Sequence, residues 1–379
     1  MPRPSRPSLA AALLPALLPV ALLAACHRGP PPVPPLPPGA LKAVGKNPGV
    51  PREKLARVVD ALFSRKDVGE TRAVIVLHDG RIAAQRYAAG YGPRTKFLGC
   101  SMSKTVTGVL IGMLVSEGRL RLDDAAPVAR WQRPGDPRSE ITLRQLLQMR
   151  SGLRHHEQAD PLYTSSEVRM LVLDGRDDMA GWAEAQPLEH EPGRAFEYST
   201  ATPMILADVG ARVIAPNAAP EQRRAAMDEF VRTRVAAPLR MPSLTPEYDR
   251  AGTLMGGSMM WATAPDWARF GEFLRHKGSV GGSQIVPRAW IEFMETPSPR
   301  APDFGAMLWL NRASGVKDRK LLFPGRAPHT VVAAIGHLGQ YVLVSPDQKL
   351  TVVRLGKTDQ AERAALVDAL ADVVALYPR

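Results

Sequence analysis

Ser101 and Lys104 stand three residues apart in the stretch Cys100-Ser101-Met102-Ser103-Lys104, immediately ahead of an apolar run from Thr105 to Ser116. That run predicts a helix with Ser101 at its amino terminus. Residues three apart share one helical face, so the lysine amine can reach the serine oxygen, and the helix dipole favours negative charge developing there. A serine hydroxyl is a poor nucleophile until a neighbouring base takes its proton, and a lysine one turn on is placed to be that base. Taken alone, the same spacing also describes an N-cap serine followed by a surface lysine.

Other chemistries leave no comparable pattern. The nucleophile elbow Gly-x-Ser-x-Gly is missing, because Gly99-Cys100-Ser101-Met102-Ser103 ends in serine. His155-His156-Glu157 and Glu189-His190-Glu191 place metal-ligating types close together, yet neither gives the His-Glu-x-x-His spacing of a zinc hydrolase, and no metal is expected. Neither a Rossmann fingerprint, a Walker loop nor an internal repeat is present, so no cofactor is expected. Trp182, Trp261 and Trp309 read as core or cleft wall.

The elements that must hold Ser101 begin with a helix. Leu55, Val58, Val59, Leu62 and Phe63 recur at helical spacing between Pro51 and Lys66. Ala73 to Leu77 and Arg81 to Ala84 read as strands joined at an Asp79-Gly80 turn. At the other end, Val331 to Gly336, Tyr341 to Val344 and Leu350 to Leu355 are apolar runs of strand length, followed by a periodic helix from Asp359 to Leu376. Between them lie helical signals at Val106 to Ser116, Leu143 to Met149, Pro203 to Val213 and Glu221 to Val235. The order implies an α/β domain over residues 51–379, its sheet assembled from both chain ends and interrupted by a mainly helical insertion at about 105–237. A site between two such lobes is the expectation.

The amino terminus carries different information. Arg3 and Arg6 precede an apolar run from Leu9 to Ala25, broken by Pro15 and Pro19, which reads as an export signal over residues 1–25 and is too short for a spanning helix. Leu23-Ala24-Ala25-Cys26 resembles a bacterial lipobox, which would make Cys26 the lipidated first residue of the mature chain; a plain secretory signal or an uncleaved anchor are the other readings. Residues 26–50 then form a spacer, proline-rich from Gly29 to Gly39. With His27 rather than aspartate after the cysteine, outer-membrane sorting facing the periplasm is expected in a Gram-negative cell. Cys100 is the only further cysteine, so the fold rests on its core without a disulfide. The net charge of +12 comes from arginines scattered along 379 residues, with neither a basic run nor a nucleic-acid module, and nucleic acid is not an expected partner.

Beyond Ser101 and Lys104, five ordered stretches make the chain resemble the serine β-lactamase and penicillin-binding-protein superfamily, nearest its 6-aminohexanoate hydrolase and class C-like esterase branch. They are Ser101 to Thr105, Ile141 to Leu153, Glu191-Pro192-Gly193 through Phe196-Glu197-Tyr198-Ser199, Gly256-Gly257-Ser258 leading to Ala264 through Gly271, and Gly336-His337-Leu338-Gly339-Gln340. The resemblance implies a transpeptidase-like fold: an antiparallel sheet flanked by helices, with a helical subdomain. It implies an acyl-enzyme on Ser101, with Lys104 and Tyr198 sharing a proton as base and acid, and an oxyanion hole from the N–H groups of Ser101 and Gln340. His337, Gly339, Thr200 and Glu157 are the implied substrate contacts. His337 stands where penicillin-recognising relatives carry lysine, and Thr200 where they carry asparagine. A histidine near its free pKa of about 6.5 is mostly neutral at pH 7 and grips a carboxylate poorly. The expected substrate is therefore a small ester, amide or short peptide rather than a penicillin. A catalytically weak peptidoglycan-binding or sensor lipoprotein of the same fold is the alternative.

Overall fold

Asp79 and Gly80 both adopt positive φ, 50° and 74°, which turns the chain back on itself and pairs β1 (Glu70–His78) with β2 (Arg81–Tyr87). In the computed structural model, which describes residues 35–316 and 319–379, this hairpin forms one edge of a six-stranded antiparallel sheet. The remaining strands in chain order are β3 (Lys96–Leu98), β4 (Thr245–Pro246), β5 (Met260–Thr263), β6 (Ser279–Val280), β7 (Ser283–Gln284), β8 (Trp309–Leu310), β9 (Val332–Gly336), β10 (Gln340–Ser345) and β11 (Leu350–Lys357). The large sheet runs β2-β1-β11-β10-β9-β8, so the carboxy-terminal strand lies beside the amino-terminal one. β3, β5 and β4 make a small second sheet, and β6 pairs with β7.

Helices cover both faces. α1 (Arg52–Ser64) packs on α10 (Arg363–Ala375), while α8 (Ala264–Arg275) lies against β11, β10 and β1, and α2 (Met102–Ser116) against β9. The insertion holds α3 (Leu143–Leu147), α4 (Ser166–Val172), α5 (Met179–Glu184), α6 (Ala201–Ile214) and α7 (Pro220–Phe230), the last continuing into a π-helical turn over Val231–Ala236. α9 (Arg288–Met294) follows β7. Helices lie on each face of the sheet, and β9 and β10 are accordingly buried along their whole length.

α2 is the pivot. Every residue from Met102 to Leu114 is buried, the signature of a helix enclosed on all sides, and its apolar composition all round explains why. Thr105 and Thr107 fix it laterally by donating to the Met307 and Gly256 carbonyls. Leu36 to Arg379 form one compact unit. The folded unit takes in part of the stretch read as spacer: Ala40 and Val44 are buried, and Val44 bridges to Ala84. Cys26, the stretch read as an export signal and most of the proline run lie outside the described residues.

Candidate active site

Cys100 carries the sharp turn that delivers Ser101. Its φ of 47° is left-handed, rare for a residue with a side chain, and it reverses the chain between β3 and α2. Gly99 makes the turn possible, because a Cβ there would fall 2.5 Å from the Trp267 ring, and its N–H donates to the Met260 carbonyl at 2.8 Å. The N–H groups of Met102, Ser103 and Lys104 bond back to the carbonyls of Gly99, Cys100 and Ser101. Ser101 is thereby set as the N-cap of α2, as its position before the apolar run predicts.

Lys104 is 2% exposed, and its Nζ lies 2.8 Å from Ser101 Oγ, 2.9 Å from Thr200 Oγ1 and 2.9 Å from the Gly257 carbonyl. Three acceptors match the three N–H bonds of an ammonium. The same geometry serves a neutral amine, which would donate to two of them and turn its lone pair to the third.

Tyr198 joins from the loop before α6. Its ring packs tilted against Trp309 at 5.2 Å and edge-on against Phe304 at 5.8 Å, and Lys104 Nζ sits 5.0 Å from its centroid. Burial raises the phenol above its ordinary pKa, while the Lys104 charge and the phenol's interactions with Ser101 and Lys104 pull it down. Ser101, Lys104 and Tyr198, separated by almost a hundred positions, thus form one cluster. Cys100, next to Ser101, is pushed up to about 11 by burial, so its thiol stays protonated beside the serine.

Glu157 and Thr200 lie on the lysine's far side. Thr200 is fully buried; its N–H donates to Glu157 Oε2 at 2.6 Å and its hydroxyl to Glu157 Oε1 at 2.5 Å. Thr200 was expected to face the substrate, but with its hydroxyl held between Lys104 and Glu157 it has no free group to offer. Glu167, on α4, carries no signal in the sequence. Burial and the Glu157 charge raise it to about 7, against the Lys104 charge and an interaction with the Thr200 hydroxyl that pull it down. The adjacent histidines diverge: His155 is buried against the Ala183 carbonyl and Thr202 Oγ1, whereas His156 pairs with Glu189 at the surface.

The β9–β10 turn differs in register from the sequence reading. Leu338 and Gly339 both take positive φ, and a Cβ on Gly339 would meet Arg354 and Leu366 of α10, so this glycine faces away from the α2 side of the sheet. Gln340 is paired with Gly336, and its side chain spans to β11, donating to the Gly356 carbonyl and accepting the Gly356 N–H. The residues that meet the turn before Ser101 are Gly336, whose Cβ position lies 2.3 Å from the Gly99 carbonyl oxygen, and His337, whose backbone interacts with the Cys100 thiol. The His337 ring stands at the exposed rim; burial of its inner side and the Arg363 charge lower its pKa, leaving it neutral at pH 7.

The Beta-lactamase family profile matches residues 60–376. The chain belongs to that family. A 6-aminohexanoate-dimer hydrolase of Paenarthrobacter ureafaciens is 28% identical over 269 residues, covering 65% of this chain and 64% of the relative, so the chain spans just under two thirds of that protein's length. Among solved structures, a Bacillus anthracis protein assigned as a 6-aminohexanoate-dimer hydrolase superposes with a TM-score of 0.63 at 20% identity, covering 85% of this chain and 83% of the other. A family VIII carboxylesterase superposes at 0.59 with 15% identity over 85% and 97% of the two chains. At such identities the structural likeness speaks for the fold, an α/β architecture with an antiparallel sheet as the sequence reading expected. This member of the Beta-lactamase family thus has amidase and esterase neighbours among β-lactamase-fold hydrolases.

Proposed function

We propose that the chain is a serine hydrolase that cleaves a small ester, amide or short peptide through an acyl-enzyme on Ser101. The observation that carries the reading is the buried Lys104 amine, 2.8 Å from Ser101 Oγ. As Oγ bonds to the substrate carbonyl carbon, its proton passes to Lys104. The C–O or C–N bond then breaks, and the leaving group takes a proton from the Lys104–Tyr198 pair. Water attacks the acyl group with the same pair as base, releasing the acid and restoring the Ser101 hydroxyl.

The oxyanion would be met by the Ser101 N–H at the mouth of α2, since the next three N–H groups of that turn are already bonded. For the second donor, the contacts of Gly336 and His337 with Gly99 and Cys100 favour the His337 N–H over that of Gln340. The neutral His337 ring and the occupied Thr200 hydroxyl support substrates without a carboxylate that needs a cation, and so speak against penicillins. A panel of p-nitrophenyl esters, nitrocefin, D-alanyl peptides and 6-aminohexanoate oligomers tests this. Ester or amide turnover that disappears in Ser101→Ala, with nitrocefin untouched, is expected; fast nitrocefin turnover would reverse the substrate reading.

We also propose that the chain is exported and held in the cell envelope by lipid on Cys26. Among the described residues no helix is long and apolar enough to cross a membrane. Cys26→Ser should abolish lipid labelling and membrane retention; unchanged retention would refute the anchor.

A further inference from the structure

Resting on the serine-hydrolase reading, we propose that Glu157 is a positioning residue for the base: acting through the Thr200 hydroxyl, its carboxylate keeps the Lys104 lone pair directed away from Thr200 and toward Ser101. The argument is one of hydrogen-bond direction. An ionised carboxylate can only accept, so the Thr200 hydroxyl, 2.5 Å from Glu157 Oε1, places its hydrogen on that side. The hydroxyl oxygen is then left to accept from Lys104 Nζ at 2.9 Å. The Gly257 carbonyl, also at 2.9 Å, can only accept. Both N–H bonds of a neutral Lys104 are therefore assigned, and the remaining direction on nitrogen, on the side of Ser101 Oγ at 2.8 Å and the Tyr198 phenol, carries the lone pair that takes the serine proton.

Reversing one hydrogen undoes this. If the side chain at 157 donates to Thr200, the threonine hydrogen swings toward Lys104 and competes with Ser101 for the same lone pair. Burial makes the competition matter, because Lys104 is 2% and Thr200 0% exposed and water cannot stand in. The Glu157 carboxylate is held in place by a second bond, from the Thr200 N–H at 2.6 Å at the start of α6. Its charge reaches the groups around the cleft, bearing on Glu167, Tyr198, Glu197 and His337. Glu157 is the acceptor by geometry, since both its oxygens face donors of Thr200, the N–H and the hydroxyl. No net proton passes through Thr200; its hydrogen stays on its own oxygen throughout the cycle.

The test compares wild type with Glu157→Gln, Thr200→Val, Thr200→Ser, the Glu157→Gln/Thr200→Val pair and Ser101→Ala. Rates of p-nitrophenyl acetate turnover and fluorophosphonate labelling are measured alongside melting temperature. Glu157→Gln and Thr200→Val should each lower kcat and the labelling rate on the order of 10- to 100-fold, a fraction of what a whole general base contributes, with KM nearly unchanged. Thr200→Ser keeps the hydroxyl and should return to within a few-fold of wild type. The double variant should be no slower than the slower single, because both changes break one chain. Should Glu157→Gln fail to fold, the valine and serine variants at 200 decide the matter. Wild-type rates in Glu157→Gln or Thr200→Val, equal loss in Thr200→Ser, or multiplying losses in the double variant would overturn the positioning role. If those variants stay fast while Ser101→Ala is inactive, only this inference falls; if Ser101→Ala stays active, the serine reading beneath it falls.

Discussion

Gly336 gives a direct handle on the geometry between the sheet and the turn that carries Ser101, the proposed nucleophile. Its backbone is not left-handed, so alanine is conformationally acceptable there, and the whole effect of Gly336→Ala comes from space. The added Cβ would lie 2.3 Å from the Gly99 carbonyl oxygen and 2.9 Å from Gln340 Cβ. Ordinary contact begins at 3.4 Å, so the end of β9 must part from the Gly99–Cys100 turn by about 1 Å. A shift of that size at a reacting centre costs about 100-fold in rate, or about 2.7 kcal/mol of transition-state stabilisation. That is close to the ~3 kcal/mol typical of one lost oxyanion donor. Overpacking should also lower global stability by about 1–3 kcal/mol. The assay is kcat/KM for a p-nitrophenyl ester with urea unfolding in parallel. Gly92→Ala serves as the control, since nothing lies within 4 Å of its Cβ position. A folded Gly336→Ala protein with kcat/KM within about threefold of wild type would refute the claim that β9 abuts the reacting centre.

His155 should make the fold acid-sensitive. Burial lowers it from 6.5 to about 4, so between those values the unfolded chain binds a proton that the native state refuses, and stability falls as pH drops through that window. The loss is about 3 kcal/mol at most, read from urea unfolding at pH 7 and pH 4.5, and His155→Gln should flatten it; an unchanged pH dependence would contradict the assignment. Arg354, fully buried in β11 and in no salt bridge among the described residues, donates to Thr71 Oγ1 and the carbonyls of Val68, Glu70, Leu338 and Gly339. Lysine cannot span them, so Arg354→Lys should lose about 2–5 kcal/mol in urea unfolding by stranding two or more acceptors, and should slow turnover by loosening the β9–β10 turn. Wild-type stability in that variant would show the carbonyls to be satisfied otherwise.

Local signals carried much of this structure. The Asp79-Gly80 hairpin and the helical periodicity of Leu55 to Leu62 appear where the pattern places them, and the periodic stretch before the carboxy terminus becomes α10 after a short 3₁₀ turn. The Ser101–Lys104 spacing is legible because a helix fixes it locally. What the sequence hid depends on pairing between distant segments. Which residue of Gly336 to Gln340 meets the Gly99–Cys100 turn is set by the Gln340–Gly336 register and by the Gln340 side chain reaching Gly356 on β11, neither of which leaves a periodic trace. Glu167 sits on the seven-residue α4, too short to show an amphipathic repeat. Thr200 was legible as a site residue but not in its role, because only the fold brings Glu157 and Lys104 to opposite sides of its hydroxyl.

The most direct measurement is intact-protein and peptide mass spectrometry of the chain after a fluorophosphonate, or after rapid quenching during ester turnover. The expected result is one adduct per chain on the peptide carrying Ser101, absent in Ser101→Ala together with the hydrolytic activity. An adduct on another residue, or hydrolysis that persists in folded Ser101→Ala protein, would contradict the assignment of Ser101 as the nucleophile.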